Sequence, residues 1–484
     1  MFIDGRSLDQ ENLTADICVI GAGAAGIAIA MRHIDSDKNI IIIESGGFEP
    51  DKATLDLNKG KAIGLSYSTE STRLRWFGGT TNHWEGMCAP LSDIDFEKRD
   101  WIPYSGWPIK RSDLDEGYKW AAKFLNLSGT GTDDFSVPQD IIPNPGTLSF
   151  GCWRFAQHLS LGEVYRKPLE ESKNIKILLH SNVVDIRLVD ELNSVSEVKV
   201  ATLSGARFSV RAKKYILACG GIENARLLLA SNSQMQYGIG NSYDQVGRYF
   251  MEHPHNQVGQ LFSYGDDLGK LFRLDFKRSR GLRPVNTDII ADKNAAVLNI
   301  SLSPQTMKEY QVAGGSLVIS AHNEIKEQSA TLNYLQHASG VSVKHVFGLY
   351  ARTEQVPNPD SRVILNHNER DALGIPRVQL DWRLTEQDWK TIHVLAIKFA
   401  EAISASGAGF VRLSGWLERF SGWPRNAWYG SHHMGTTRMS DDPKTGVVDK
   451  DQKVFGLNNL HIAGSSVFPT SGWPNPSYTL ISMR

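Results

Sequence analysis

Apolar positions along the chain fall into two textures. Over residues 16–44, and again over 175–230, short apolar runs with a β-branched bias alternate with helical stretches. From about 259 to 413, longer strand-like runs follow one another with turns between. The first texture predicts buried parallel strands joined by crossover helices, and the second an antiparallel sheet that covers a ligand site from one side. In the first, residues 17–20, 39–43, 175–180, 183–188 and 214–218 read as strands, with a hairpin of 198–203 and 207–210 around Gly205 and a helix over 223–230. In the second, 296–302, 316–320 and 344–350 read as strands and 386–404 as one long amphipathic helix. A helical pattern over 111–125 is followed by residues 126–150, rich in Gly, Pro, Asp and Thr, which read as a long excursion or lid.

The stretch from Asp16 to Glu44 carries the clearest chemistry. Gly21, Gly23 and Gly26 form G-x-G-x-x-G between a strand and a helix. The first glycine permits the turn, the second lets backbone approach a pyrophosphate, and the third lets helix and strand pack closely. The helix start offers N–H groups and a positive dipole end to phosphates. Glu44 ends the second strand, where a carboxylate accepts hydrogen bonds from a ribose 2′-hydroxyl and repels a 2′-phosphate, favouring FAD or NAD over NADP. Arg75-Trp76-Phe77-Gly78-Gly79-Thr80-Thr81-Asn82-His83-Trp84 combines permissive backbone, donors and an aromatic wall; a plain glycine turn with a buried Trp reads equally well. Cys219-Gly220-Gly221, where a strand meets a helix, predicts a second close approach of backbone to a nucleotide or to the first sheet.

Near the C-terminus His432 and His433 stand side by side, and extended backbone would point them to opposite faces. No third ligand sits at metal spacing, so no metal is expected there. Asn475-Pro476 reads as a helix start, with Asn475 in the N-cap position; either it caps in the ordinary way, or this helix aims its positive end at a ring whose reduced form is anionic.

Composition narrows the class. The chain of 484 residues suggests two to three domains, and 41% apolar with 22% charged residues is ordinary for a soluble enzyme. A net charge of −1 gives no pull toward nucleic acid or an anionic membrane. The apolar runs are strand-sized, and the N-terminal segment has neither an apolar h-region nor twin arginines, so a cytoplasmic protein without a membrane segment is expected. Four scattered cysteines read as buried thiols rather than a disulfide or zinc site.

Taken together, GAGAAG with Glu44, GGTTNHW, YILACGGIENARLLL, VGRYFMEHP, HHMGTTRM and AGSSVFPTSGWPNPSYTL, in that order from residue 16 to 480, resemble the glucose-methanol-choline (GMC) family of FAD oxidoreductases. The motif texture is nearest the branch of pyranose 2-oxidase and bacterial sugar dehydrogenases. The resemblance implies an α/β fold: an FAD-binding Rossmann-like domain built from residues 1–92, 166–258 and 425–484, a lid-like excursion over 93–165, and an antiparallel-sheet substrate domain over 259–424. It implies FAD held by Gly21, Gly23, Gly26, Glu44, Gly78, Gly79, Thr80, Asn82, His83, Trp84, Val183, Gly220, Ser465, Pro476 and Ser477. His83 occupies the position that in some members is joined covalently to the flavin and in others is not.

The family's catalytic pair maps onto His432, as the base for the hydroxyl proton, and Asn475, which orients the same oxygen. The implied reaction is oxidation of an alcohol, on a sugar, glycoside or cyclitol, with O2, a quinone or another electron acceptor. A small partner subunit or a homo-oligomer is compatible with it. The family's non-redox branch of hydroxynitrile-lyase type, and a flavin-bound scaffold without turnover, are the alternatives. The family's closing helix is usually longer than the stretch after Pro476, which raises the expectation of a trimmed C-terminus.

Overall fold

The computed structural model describes all residues except 128–141, 143–145, 269–295, 322–342, 420–421, 425–427 and 484. Most of the predicted 126–150 excursion therefore lies outside the described residues.

Two eight-stranded sheets organise the chain. At the centre of the first, Asn12–Ile20 pairs in parallel with Ile40–Ile43 on one side and with Arg207–Leu217 on the other. Ile175–Leu179 and Phe2–Asp4 extend one edge, while Val195–Ala201 and Asn182–Leu188 extend the other in antiparallel fashion. Ile40–Ile43 is four isoleucines, all buried, as a strand covered on both faces requires. The second strand of the expected hairpin and the strand after it are one element: Arg207–Leu217 runs unbroken because Asn12–Ile20, its parallel partner, is long enough to carry it from Ser209 to Leu217. Leu460–Ile462 then joins Arg207–Leu217, returning the C-terminal segment to the first sheet.

The second sheet is largely antiparallel, in the order Gly409–Leu413, Pro254–Ser263, His345–Thr353, Gly315–Ala321, Ala296–Leu302, Leu148–Phe155, Met87–Cys88. It draws strands from 87–88, 148–155 and 254–263 as well as from the expected 259–424 region. The predicted long helix is Glu386–Ser406, started by the capping box of Thr385 and Asp388 and ended at Gly407 in the left-handed region. Its Ile392, Leu395 and Phe399 pack with Ile300, Leu317, Leu349 and Ala351 of the sheet. Because strand side chains alternate, the residues between these, Ser301, Ser316, Tyr350 and Arg352, belong to the face away from the helix. All four cysteines are thiols without a disulfide.

Candidate active site

A cavity of about 220 Å³ runs along the carboxyl ends of the first sheet's central strands. Gly21, with φ of +103°, makes the turn out of the first strand; Gly23 follows as the helix N-cap, without a side chain to occupy the space. Gly26 does not line the cavity. A Cβ there would meet the Gly21 carbonyl at 2.0 Å, so its role is the close packing of helix on strand. Glu44 is buried, and its carboxylate oxygens accept from the Ala22 and Gly46 N–H groups at 2.8 and 3.0 Å. Burial raises its pKa, and those two bonds oppose the rise.

The loop at 76–84 folds against the glycine turn. Gly78 N–H donates to the Ala22 carbonyl at 3.0 Å, and a Cβ on Gly79 would reach the Gly23 Cα at 3.0 Å. Gly79 and Thr80 line the cavity; Gly78, Asn82, His83 and Trp84 do not. Asn82 braces the loop by donating to the Phe77 and Gly79 carbonyls while accepting from Ser160 Oγ. Trp84 Nε1 donates to the Leu159 carbonyl. His83 closes the 3-10 turn Gly79–Asn82, half-buried, with burial lowering its pKa. Val183, Gly220, Ser465, Pro476 and Ser477 all line the cavity. The space in front of Gly220 and Gly464, both at positive φ, is open to at least 4 Å. A long groove with glycine approaches at three separate turns and a buried carboxylate at its sugar-binding end fits FAD.

At the far end of this groove the two histidines part. His433 Nε2 hydrogen-bonds Tyr67 Oη at 2.7 Å, and its own carbonyl accepts from Ser465 Oγ at 2.7 Å. His432 turns to the second sheet. Its Nδ1 lies 2.8 Å from His253 Nδ1, and His253 Nε2 lies 2.8 Å from the Gly472 carbonyl. A carbonyl only accepts, so His253 carries its proton on Nε2. Burial lowers the pKa of His253 to about 4, leaving the ring neutral with a lone pair on Nδ1. His432 must then donate from Nδ1, which leaves the lone pair of its own neutral ring on Nε2.

Sequence reasoning expects a His432 pKa near 6.5. The structure corrects this: burial first, then neighbouring His253 and Arg352, push it well below that value.

The pairing that creates this relay is non-local. Met251 and Met434 exchange two backbone hydrogen bonds of 3.0 Å, which brings residues 251–253 alongside 432–434. Glu252 sits between the histidines, accepting from the backbone N–H of His432 at 2.9 Å and of His253 at 3.1 Å, and from the Tyr67 hydroxyl. Its burial raises its pKa to about 7. Asn475 occupies the N-cap position of Pro476–Ser482 but makes no side-chain cap. Its Oδ1 instead accepts from Arg352 Nη1 at 3.1 Å, and its Nδ2 donates to the Met87 carbonyl at 3.0 Å. Ordinary capping is thereby excluded as the reason for this residue. His253, Glu252, Tyr67 and Arg352 escape sequence reasoning; the only signal was the motif VGRYFMEHP, whose histidine had no role.

Such a groove and relay define a flavin-dependent oxidoreductase, and comparison with known proteins agrees. Residues 16–263 match the FAD dependent oxidoreductase family and residues 357–483 the GMC oxidoreductase family. The chain belongs to the GMC family of FAD-dependent oxidoreductases, which here oxidises an alcohol group and hands the electrons to an acceptor. It is 25% identical to the fructose dehydrogenase large subunit of Gluconobacter japonicus, over 98% of this chain and 97% of that protein. It is 23% identical to 6'''-hydroxyparomomycin C oxidase of Streptomyces lividus, over 99% and 91%. A formate oxidase of Aspergillus oryzae has the same fold, with a TM-score of 0.56 and 15% identity over 97% and 96% of the two chains. Among the described residues no helix is long and apolar enough to cross a membrane, and no group of His, Cys, Asp or Glu could hold a metal ion.

A first consequence concerns the cofactor. Glu44→Ala leaves the Ala22 and Gly46 N–H groups without acceptors, each costing about 1–3 kcal/mol where buried. FAD retention should fall by at least about tenfold in equilibrium dialysis, by the same principle, with the spectrum of the flavin that does bind unchanged. Wild-type retention would show that Glu44 does not support the cofactor.

Proposed function

We propose that His432 is the base that takes the hydroxyl proton of a polyhydroxylated alcohol, a sugar, glycoside or cyclitol, while Asn475 holds the same oxygen. The observation that carries this is the chain His432 Nδ1, His253 Nδ1, Gly472 carbonyl, which leaves His432 Nε2 as an acceptor at the end of the FAD groove. Flavin, when bound, supplies the acceptor for the hydride that leaves the carbinol carbon. Asn475 is held from both sides, by Arg352 and by the Met87 carbonyl, so its amide is fixed before substrate arrives. The relatives named for fructose and for 6'''-hydroxyparomomycin C support a carbohydrate-like substrate. The relative named as a large subunit supports a partner subunit for this chain.

Anaerobic mixing of the holoenzyme with a panel of sugars, glycosides and cyclitols tests the reading. At least one should bleach the flavin, and air or a quinone should restore the colour. A flavin that no alcohol bleaches would favour the non-redox branch. Acid precipitation reports on His83 separately: colour in the pellet means a covalent flavin, and colour in the supernatant a dissociable one.

Low pH supplies another check. A base held well below pH 6.5 stays neutral as the pH falls through 6.5, and the relay persists until His253 protonates near 4. In Glu252→Gln, which removes the carboxyl beside the relay that itself titrates near 7, the rate of flavin reduction should therefore be level from pH 8 to 6 and decline only toward 4. A fall centred on pH 6.5 would mean that a different, solvent-like histidine is the base.

A further inference from the structure

Arg352 acts on His432 through its charge and has no carboxylate to answer it among the described residues. Several guanidinium groups elsewhere are matched: Arg99 binds both oxygens of Glu354 at 2.9 and 2.6 Å, Arg226 binds Asp371 and Glu223, and Arg73 and Arg75 share Glu223. Arg438, which also lacks a carboxylate, lies over the Tyr249 ring at 4.5 Å and donates to the Tyr104 carbonyl. Arg352 makes one hydrogen bond, to the neutral amide of Asn475, and its guanidinium lies 5.7 Å from the Trp153 ring. Solvent-exposed Glu85 acts on it only through space. Arg352 is half-buried, and a charge partly taken out of water without a counter-ion is costly, so the site suits an anion that arrives later.

The surroundings of Arg352 say what kind of molecule brings that anion. Cross-strand pairing puts it on one rung with His255 on one side and Ser316, Ser301 and Ser149 on the other. The adjoining position on Ala296–Leu302 on the same face is Asn299. Ser316 Oγ, His255 Nε2 and both amide atoms of Asn299 are buried without a hydrogen-bond partner. Buried polar atoms are nearly always satisfied; Asn256 and Thr353 leave some unsatisfied on the opposite face, and those beside Arg352 leave hydrogen-bonding capacity there for a polar ligand. The rung ends beside the proposed base, because the His255 and His432 rings are 6.5 Å apart.

We propose that the alcohol oxidised here is an acid: a sugar acid or other polyhydroxy carboxylate, whose carboxylate sits on Arg352 while its hydroxyls meet Ser316, Asn299 and His255. This rests on the reading that His432 and Asn475 receive the reacting hydroxyl. The guanidinium then fixes the distance between the carboxylate and the oxidised carbon, and an ammonium-bearing sugar is disfavoured by like charge.

Equilibrium binding tests it on the His432→Ala holoenzyme under anaerobic conditions, where slow turnover leaves the ligand intact. Two matched pairs serve as probes, D-glucuronate with D-glucose and glycolate with ethylene glycol, titrated by calorimetry. At least one carboxylate should bind about tenfold or more tighter than its neutral partner, and Arg352→Gln should abolish that preference while Arg352→Lys keeps part of it. Neutral partners binding as tightly as both carboxylates would overturn the proposal. So would a preference that survives Arg352→Gln, or an Arg352→Gln enzyme that changes only the flavin's reduction potential, since the charge would then serve the cofactor. Should the Gln variant fail to fold, an Arg352→Lys enzyme whose carboxylate preference equals that of the wild type overturns it equally. Rapid flavin bleaching in the His432→Ala background would instead count against the catalytic reading and leave the charge preference to be judged by binding alone.

Discussion

Replacing His432 with alanine should slow anaerobic flavin reduction by at least about a hundredfold, the low end of what a positioned base contributes, with FAD still bound. His433→Ala should change the rate much less. The neighbours differ because their partners differ: His432 Nδ1 is engaged by His253, whereas His433 is bonded to Tyr67 and tied through its carbonyl to Ser465. His433 supports the wall of the groove, so its loss should appear in cofactor retention or thermal stability. Stopped-flow reduction at saturating alcohol separates the two, since flavin content is read from the starting absorbance. A His432→Ala enzyme that reduces its flavin at the wild-type rate would end the assignment.

Residues 16–44 were legible because everything that shapes them is local. A four-isoleucine strand, three glycines at fixed offsets and a terminal acid need no knowledge of the rest of the chain, and the observed helix Ala24–Arg32 and strand Ile40–Ile43 fall where the pattern puts them. Residues 207–217 were not, because Arg211 and Lys213 read as a break in the apolar run. Their polarity reflects exposed positions on a strand that its partner carries through. Strand ends were similarly displaced on 344–350, and the three residues added by the observed His345–Thr353 include Arg352.

The chemistry followed the same division. His432 and Asn475 could be found from motifs, since each sits in a distinctive local string. What makes them work could not. His253 lies 179 residues from the imidazole it orients, and Arg352 lies 123 from the amide it holds. Only the bridge between Met251 and Met434 and the folding of the second sheet onto the first bring these groups together. Asn475 takes the expected N-cap position, but its side chain makes no cap, for a related reason. A local rule predicts capping from the side chain alone, but a guanidinium and a carbonyl from distant strands compete for that amide, and the charge-assisted bond prevails.

His253 should matter to the rate nearly as much as the base, although on this geometry it serves His432 and not the reacting carbon. Its Nδ1 is the acceptor that keeps the His432 proton on Nδ1, and its Nε2 is pinned to the Gly472 carbonyl three residues before Asn475. His253→Phe keeps a ring of similar size and removes the acceptor. His432 can then adopt the other tautomer, with Nε2 protonated and no lone pair for the hydroxyl, and an imidazole in the wrong tautomer is known to lose catalysis by factors up to about 10⁴. Flavin reduction in His253→Phe should fall by about a hundredfold on that scale, with substrate affinity changed far less. His253→Gln, whose carbonyl oxygen can accept from His432, should recover part of the rate. The acid limb should also move, because near pH 4 it reports the protonation of His253 itself and neither variant has that group. If His253→Phe reduced its flavin at the wild-type rate, or if Phe and Gln were equally slow with the acid limb unmoved, His253 would be a packing residue and the tautomer of His432 would be set by something else.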